Sequence, residues 1–134
     1  MNYLYFAEGT TLCTSDGNIP IDKLSKTGEI RTYDGSYIPF IFYGKQTKYP
    51  TVIVTFSNDQ EIICTSDIQF LGQQGWVRVN DSIGVCVYDY SHECDVSIKG
   101  VRVGGVRNMW KIGIDSENGL CLGNGIIVYG GNDG

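Results

Sequence analysis

Short apolar, aromatic and β-branched runs, some alternating with a period of two, are separated by polar turn residues along the chain. No segment keeps a helical period over ten residues. Residues 2–7 predict a first strand, which Glu8-Gly9 turns into a second over 10–14. Ser15-Asp16-Gly17-Asn18 has the side chains of a tight turn. Residues 20–24 predict one helical turn, with Pro20 early, where its missing N–H costs nothing. A strand over 29–33 meets the hairpin signal Asp34-Gly35. Two separate strands are expected over 36–45 and 51–56, followed by one over 60–64. Phe70-Leu71 is a short apolar pair. Gly75-Trp76 leads into an alternating run through Val77 and Val79, and 83–88 is the next strand. Residues 96–103 are weakly strand-like, broken at Gly100 and closed by Gly104-Gly105. Residues 109–114 form a clear strand. Residues 120–122 and 126–129 form a last hairpin across Gly123-Asn124-Gly125, where Asn124-Gly125 is the turn. The stretches 89–95 and 115–119 read as loops. Many short strands between turn signals predict an all-β fold, one domain over 1–129 with a loose Gly-rich tail over 130–134.

The order of elements occurs twice. Cys13-Thr14-Ser15-Asp16 is followed by Gly17, then 20–24, then 28–34. Cys64-Thr65-Ser66-Asp67 is followed by Gly75, then 77–81, then 83–89. The repeated tetrapeptide and the strand after each copy suggest two pseudo-symmetric halves.

Composition narrows the function classes. A chain of 134 residues buries a real core without staples. It shows no apolar run long enough for a bilayer and no signal-peptide pattern. The net charge of −5 and the lack of a visible Lys/Arg cluster argue against nucleic acid and anionic membranes as partners. The five cysteines are odd in number and lack a C-x-x-C spacing, against a disulfide framework or a zinc site. Cys64, Cys86 and Cys121 lie in apolar runs and read as small buried hydrophobes of a reducing compartment. Cys94 lies in His92-Glu93-Cys94-Asp95, beside the only histidine. Adjacent residues of an extended chain point to opposite sides, so these four cannot all face one ion. No metal and no cofactor is read from the sequence. A small-ligand or metal site at 92–95 is the third-ranked reading.

Several blocks resemble the hedgehog/intein (Hint) autoprocessing domains. Phe6-Ala7-Glu8-Gly9-Thr10, Asp16-Gly17 and Ile21-Asp22-Lys23-Leu24 are similar to the family's opening block. Residues 65–70 with Gly75-Trp76-Val77 look like its central block. Residues 109–114 and 122–128 are similar to its two closing blocks. The resemblance runs from about Phe6 to Tyr129. It implies a flat, all-β horseshoe of two halves, in a minimal form without the endonuclease whose usual place falls near 89–107.

The family's reaction is self-cleavage. A Cys or Ser attacks the preceding carbonyl, a Thr and a His hold the amide, and in splicing members a terminal Asn cyclises beside a His. The resemblance puts the nucleophile at Tyr5, the central Thr and His at Thr65 and Ile68, and the acid or nucleophile of the penultimate block at Lys111. It puts that block's His near Gly119 and the terminal His-Asn pair at Tyr129 and Gly130. A phenol of pKa about 10 attacks an amide poorly, Ile68 has no polar atom, and Gly130 has no amide to cyclise. Cys13 lies too far along its strand to replace the nucleophile, and Asn132 lacks a preceding His. The sequence therefore predicts a catalytically inactive Hint-like domain, a structural or protein-binding module of a virion or other large assembly, with a phage structural protein as the preferred case. With Met1 four residues before Tyr5, it reads as free-standing rather than lodged in a host. The alternative is an autoprocessing domain with a non-standard nucleophile.

Overall fold

A computed structural model describes residues 1–130. Their twelve strands form one antiparallel sheet. In chain order they are β1 (Asn2–Phe6), β2 (Thr11–Thr14), β3 (Gly17–Pro20), β4 (Thr27–Arg31), β5 (Tyr37–Phe56), β6 (Glu61–Cys64), β7 (Ile68–Gly72), β8 (Gly75–Arg78), β9 (Cys86–Asp89), β10 (Cys94–Ile114), β11 (Leu120–Cys121) and β12 (Ile127–Gly130). Two 3-10 turns, Ile21–Lys23 and Val79–Asp81, follow β3 and β8.

The expected duplication is present. β2 and β3 pair through a two-residue turn, and so do β7 and β8. A 3-10 turn follows each hairpin and buries one apolar side chain, Ile21 or Val79. A short strand, β4 or β9, then leads into a long one, β5 or β10. The two long strands pair with each other, and the swap is symmetric: β1 lies on β10, β6 lies on β5. β1 and β6 meet at Phe6 and Cys64.

The repeated tetrapeptide does not mark the repeated unit. Cys13 to Asp16 ends β2 and makes its hairpin turn, whereas Cys64 to Asp67 ends β6 and precedes β7. The counterpart of the second copy is the stretch after β1, residues 6–10. Each Thr keeps its own turn: Thr14 donates to the Gly17 carbonyl at 2.7 Å, and Thr65 donates to the Asp67 carboxylate.

Further expectations need correction. The strands expected over 36–45 and 51–56 are one strand of 20 residues, and those over 96–103 and 109–114 are one of 21. The breaks read at Gly100 and at Gly104-Gly105 are register shifts inside the β5–β10 ladder, at 98/100 and 103/105. A bulge absorbs an extra residue while pairing continues on both sides. Val79 leaves the strand and closes its 3-10 turn from the core. Gly130 is not tail but the last, buried residue of β12. The rest of the expected tail, 131–134 with Asn132, lies outside the described residues. As expected of a minimal form, the interval where the family's endonuclease usually lies holds a short turn at 90–93 followed directly by β10.

The inward positions of both halves fill one core. Leu4, Phe6, Ile30, Phe56, Phe70, Ile112 and Leu122 belong to it. Phe56 and Phe70, one from each half, meet edge to face at 5.8 Å. The bridge Leu12–Leu122 ties the end of the chain to β2.

Candidate functional site

The two ends of the domain meet beside β10. In β1 the residues 2, 4 and 6 are buried and 3 and 5 half-buried. An Asn therefore stands at a position whose neighbours on that face are Leu4 and Phe6. Its amide is satisfied by Gly130: Asn2 Nδ2 donates to the Gly130 carbonyl at 2.6 Å, and the Gly130 N–H donates to Asn2 Oδ1 at 2.8 Å. Both partners are buried, so each bond relieves a group that water cannot reach. Gly130 admits no larger residue. A Cβ there would collide with the Tyr3 carbonyl oxygen and come within 2.9 Å of Asn2 Oδ1.

The structure gathers the positions singled out from the sequence. Tyr5 stands directly across from Lys111 in the β1–β10 ladder. Ile68 stands across from Gly130, and Tyr129 from Gln69, in the β7–β12 ladder. Thr65 follows β6, whose end joins β1 through Phe6–Cys64 and through the Ala7 N–H to the Ile63 carbonyl at 3.2 Å. Gly119 has φ +67°, and a Cβ there would lie 2.7 Å from Trp76 Cη2 and 2.5 Å from the Val128 carbonyl oxygen. No histidine fits at that position. The Trp76 ring lies 5.3 Å from that of Tyr129.

The chemistry of each position follows from its contacts. Tyr5 stacks on Tyr49 at 4.7 Å. Hydrogen bonding to Tyr5, with burial adding to it, raises the Tyr49 phenol above its ordinary value. The Lys111 ammonium lies 4.3 Å from the Tyr3 ring centroid, 4.9 Å from Tyr43 and 5.7 Å from Tyr5. A cation seated among three aromatic faces is held by them. The Thr65 hydroxyl is occupied by Asp67, and Ile68 is fully buried. The bond between Leu4 and Tyr5 runs within a five-residue ladder, between Tyr3 opposite Gly113 and Phe6 opposite Trp110.

A cleft of about 470 Å³ opens beside this junction, lined by Met1, Asn2, Asp115, Ser116, Glu117, Asn118 and Tyr129. The Ser116 hydroxyl accepts the Asn118 N–H at 3.0 Å.

The remaining candidates lie elsewhere. Cys13 pairs with Asn18 in the first hairpin, and its neighbour is Cys121, whose thiol burial pushes up to about 12. Burial also raises the Cys64 thiol, whereas Cys86, expected to be buried with them, is exposed on β9. His92 turns to Asp89, Nδ1 to Oδ2 at 2.7 Å, with its ring 60% exposed. No group of three or more His, Cys, Asp or Glu side chains able to hold a metal occurs among the described residues, so residues 92–95 do not converge. Asn124 makes the expected turn, accepting the Ile126 N–H at 3.1 Å, beside the loop of Asp89 and Ser91.

Sequence reasoning missed Asn2, Tyr3, Tyr43 and Tyr49, and read Trp76 only as part of a family block. Asn2 was visible as the polar residue of an otherwise apolar run, residues 2–7. Tyr43 and Tyr49 reach the site through a bulged register that no local pattern reveals.

No family model and no curated protein sequence matches the chain. Solved structures do. The gp41-1 intein is similar with a TM-score of 0.76 and 17% identity, covering 95% of this chain and 98% of that one. The Ssp DnaB mini-intein variant M86 is similar at 0.71 and 13%, covering 96% and 93%. The Msm DnaB1 intein splicing domain, solved with zinc, is similar at 0.72 and 18%, covering 93% and 98%. The chain has the all-β Hint fold of these mini-inteins, without an endonuclease domain.

Proposed function

We propose that this Hint-like domain does not cleave its own chain and serves as a protein-binding module of a larger assembly, a virion being the favoured case. One observation carries the reading: the segment before Tyr5 is part of the sheet and is bound side chain to backbone to Gly130. Self-cleavage needs a nucleophile, a group to protonate the leaving nitrogen, and a carbonyl free to become tetrahedral. Here the phenol of Tyr5 is stacked on Tyr49, the side chain at 68 is aliphatic, and the only histidine is committed to Asp89. Lys111 is enclosed by tyrosines. The bond at risk lies inside a β ladder, where pyramidalising a carbonyl would break sheet geometry on both sides.

The test is the intact mass of the chain fused between two inert reporter domains, after long incubation with and without hydroxylamine or a strong thiol. An unchanged mass under both conditions is expected. Cleavage at the Leu4–Tyr5 bond, or near Tyr129, would show autoprocessing by a non-standard nucleophile and end this reading.

A further inference from the structure

The basic residues are not scattered. β5 and residues 96–114 of β10 contain no Asp or Glu, yet they carry six of the ten Lys and Arg: Lys45, Lys48, Lys99, Arg102, Arg107 and Lys111. The two strands are far apart in sequence but pair along their length, so the cluster that the sequence hides is assembled by the fold. Lys99 and Arg102 have carboxylate partners, Asp59 at 3.5 Å and Glu61 at 2.9 Å, and Lys111 has its rings. Lys45, Lys48 and Arg107 have no carboxylate partner among the described residues.

The middle of this ribbon is also bare. β9 covers β10 only as far as Ser97, with the Ile98 N–H donating to the Val85 carbonyl at 2.9 Å, and β1 covers it only from Trp110. Between these, residues 99–109 pair with β5 alone among the described residues. Arg102, Val103, Val106, Arg107 and Asn108 are exposed, Val103 by 86% and Val106 by 67%. Exposure of consecutive strand residues means that both faces of the ribbon meet solvent.

We propose that the uncovered outer edge of β10 over residues 99–109 takes up an acidic, extended segment of a partner protein as an added strand. The proposal rests on the reading of the chain as a protein-binding module. Charge selects this occupant. Basic groups on an unpaired edge repel the same edge of a second copy and attract a segment of opposite sign. The exposed valines give alternate apolar contacts that a strand supplies and a phosphate backbone does not. Of the ribbon's tyrosines, Tyr43 is engaged with Lys111 and Tyr3, and Tyr49 with Tyr5, while Tyr37 lies at the start of β5, beyond the β10 pairing.

Fluorescence anisotropy on the full chain at physiological ionic strength tests this. The probes are a short labelled peptide of alternating Glu and Val, its Lys-Val analogue, the Glu-Val peptide N-methylated at alternate amides, and a labelled oligothymidylate. The Glu-Val peptide is expected to bind, and the other three to bind about tenfold more weakly or not at all. The double variant Lys48→Glu/Arg107→Glu should weaken it about tenfold, with the circular dichroism spectrum unchanged. Val103→Asp gives a second, single-site variant with the same expectation. Absent peptide binding, equal binding after N-methylation, indifference to both variants, or tighter binding of the oligonucleotide would each overturn the proposal. None of these readouts depends on the mass of the reporter fusion. Failure here leaves the uncleaved scaffold standing, and a cleaved fusion ends the scaffold reading whatever the peptide does.

Discussion

The two halves of the sheet share a plan and diverge at one carboxylate each. After β4, Asp34 accepts the Ser36 N–H at 3.0 Å; at the end of β9, Asp89 accepts the Ser91 N–H at 2.9 Å. Both are the same local device, an Asp capping the backbone two residues on. Asp34 stays exposed, and its other partners, the Ser36 and Thr32 hydroxyls, belong to the same turn. Asp89 is fully buried and also accepts from the His92 N–H and ring. The second half has an extra layer to accommodate: the turn between β11 and β12 sits on this loop, with the Tyr90 N–H donating to the Gly125 carbonyl at 3.0 Å. A duplicated turn thus becomes a tertiary pin where a third segment closes over it.

The largest effect expected from this difference is at Asp89. Asp89→Ala removes a fully buried acceptor, leaves the Ser91 and His92 N–H groups and the His92 ring without it, and should cost about 2–4 kcal/mol. Asp34→Ala, the same change in the other half, should move the urea midpoint far less. Equal midpoint shifts for the two variants would break the comparison.

The second prediction concerns the strands that open each half. β1 carries Asn2, pinned to Gly130, whereas its counterpart β6 carries Glu61, an exposed partner of Arg102. Asn2→Ala orphans a buried N–H and a buried carbonyl, a loss of about 2–3 kcal/mol. Glu61→Ala removes a surface ion pair worth about 1 kcal/mol at most. Denaturant titration of both variants measures the gap, and a Glu61→Ala loss as large as that of Asn2→Ala would show that the junction is not specially held.

Much of this was legible in the sequence, and the part that was not has a physical cause. Strand propensity and turn chemistry are local, so residues 2–6, the hairpin at 120–129 and the single turn at 20–24 could be read from side chains alone. The 3-10 turn at 79–81 could not, because Val77 and Val79 continue an alternating pattern and only packing decides that Val79 turns inward. The long strands were cut at glycines that the fold uses for register shifts. The positions of the junction were found through the family resemblance, but its grip was not. Asn2 pairs with a glycine at the other end of the described chain, and no local pattern links them. The basic ribbon was missed for the same reason: it exists only once β5 and β10 lie side by side.

A smaller effect is expected at Lys111, where a cation of the second half rests on rings that belong to the first. Lys111→Met keeps the aliphatic stem and loses the charge above Tyr3, Tyr43 and Tyr5. At a half-exposed site the cation–π contribution is about 0.5–1 kcal/mol. Lys111→Arg, which retains the charge on a planar group that can stack on the rings, should recover most of it. A Met variant as stable as the parent in thermal melts would mean that the rings, not the cation, hold the halves together here.

The smallest effect is a pH dependence confined to the first half's turn. Hydrogen bonds from the Ser36 side chain, then the Thr32 side chain and the Ser36 backbone, lower the Asp34 carboxyl from 3.8 to about 2. A carboxylate whose folded pKa lies below its unfolded one contributes stability that is fully present above the unfolded value. That contribution is lost as pH falls from about 4 through about 2, because the unfolded chain takes up the proton first. Asp34 is solvent-exposed, so the change in stability should be slight and weaker still at high salt. The measurement is the side-chain carboxyl chemical shift of Asp34 across this range, alongside thermal melts of the parent and of Asp34→Asn. The parent should lose stability relative to Asp34→Asn between pH 4 and 2, and the resonance should titrate near 2. Titration at 3.8 or above would show that the Thr32 and Ser36 hydroxyls do not hold the carboxylate in solution. The two carboxylates would then differ in kind, one a pin and the other a bystander, rather than in degree.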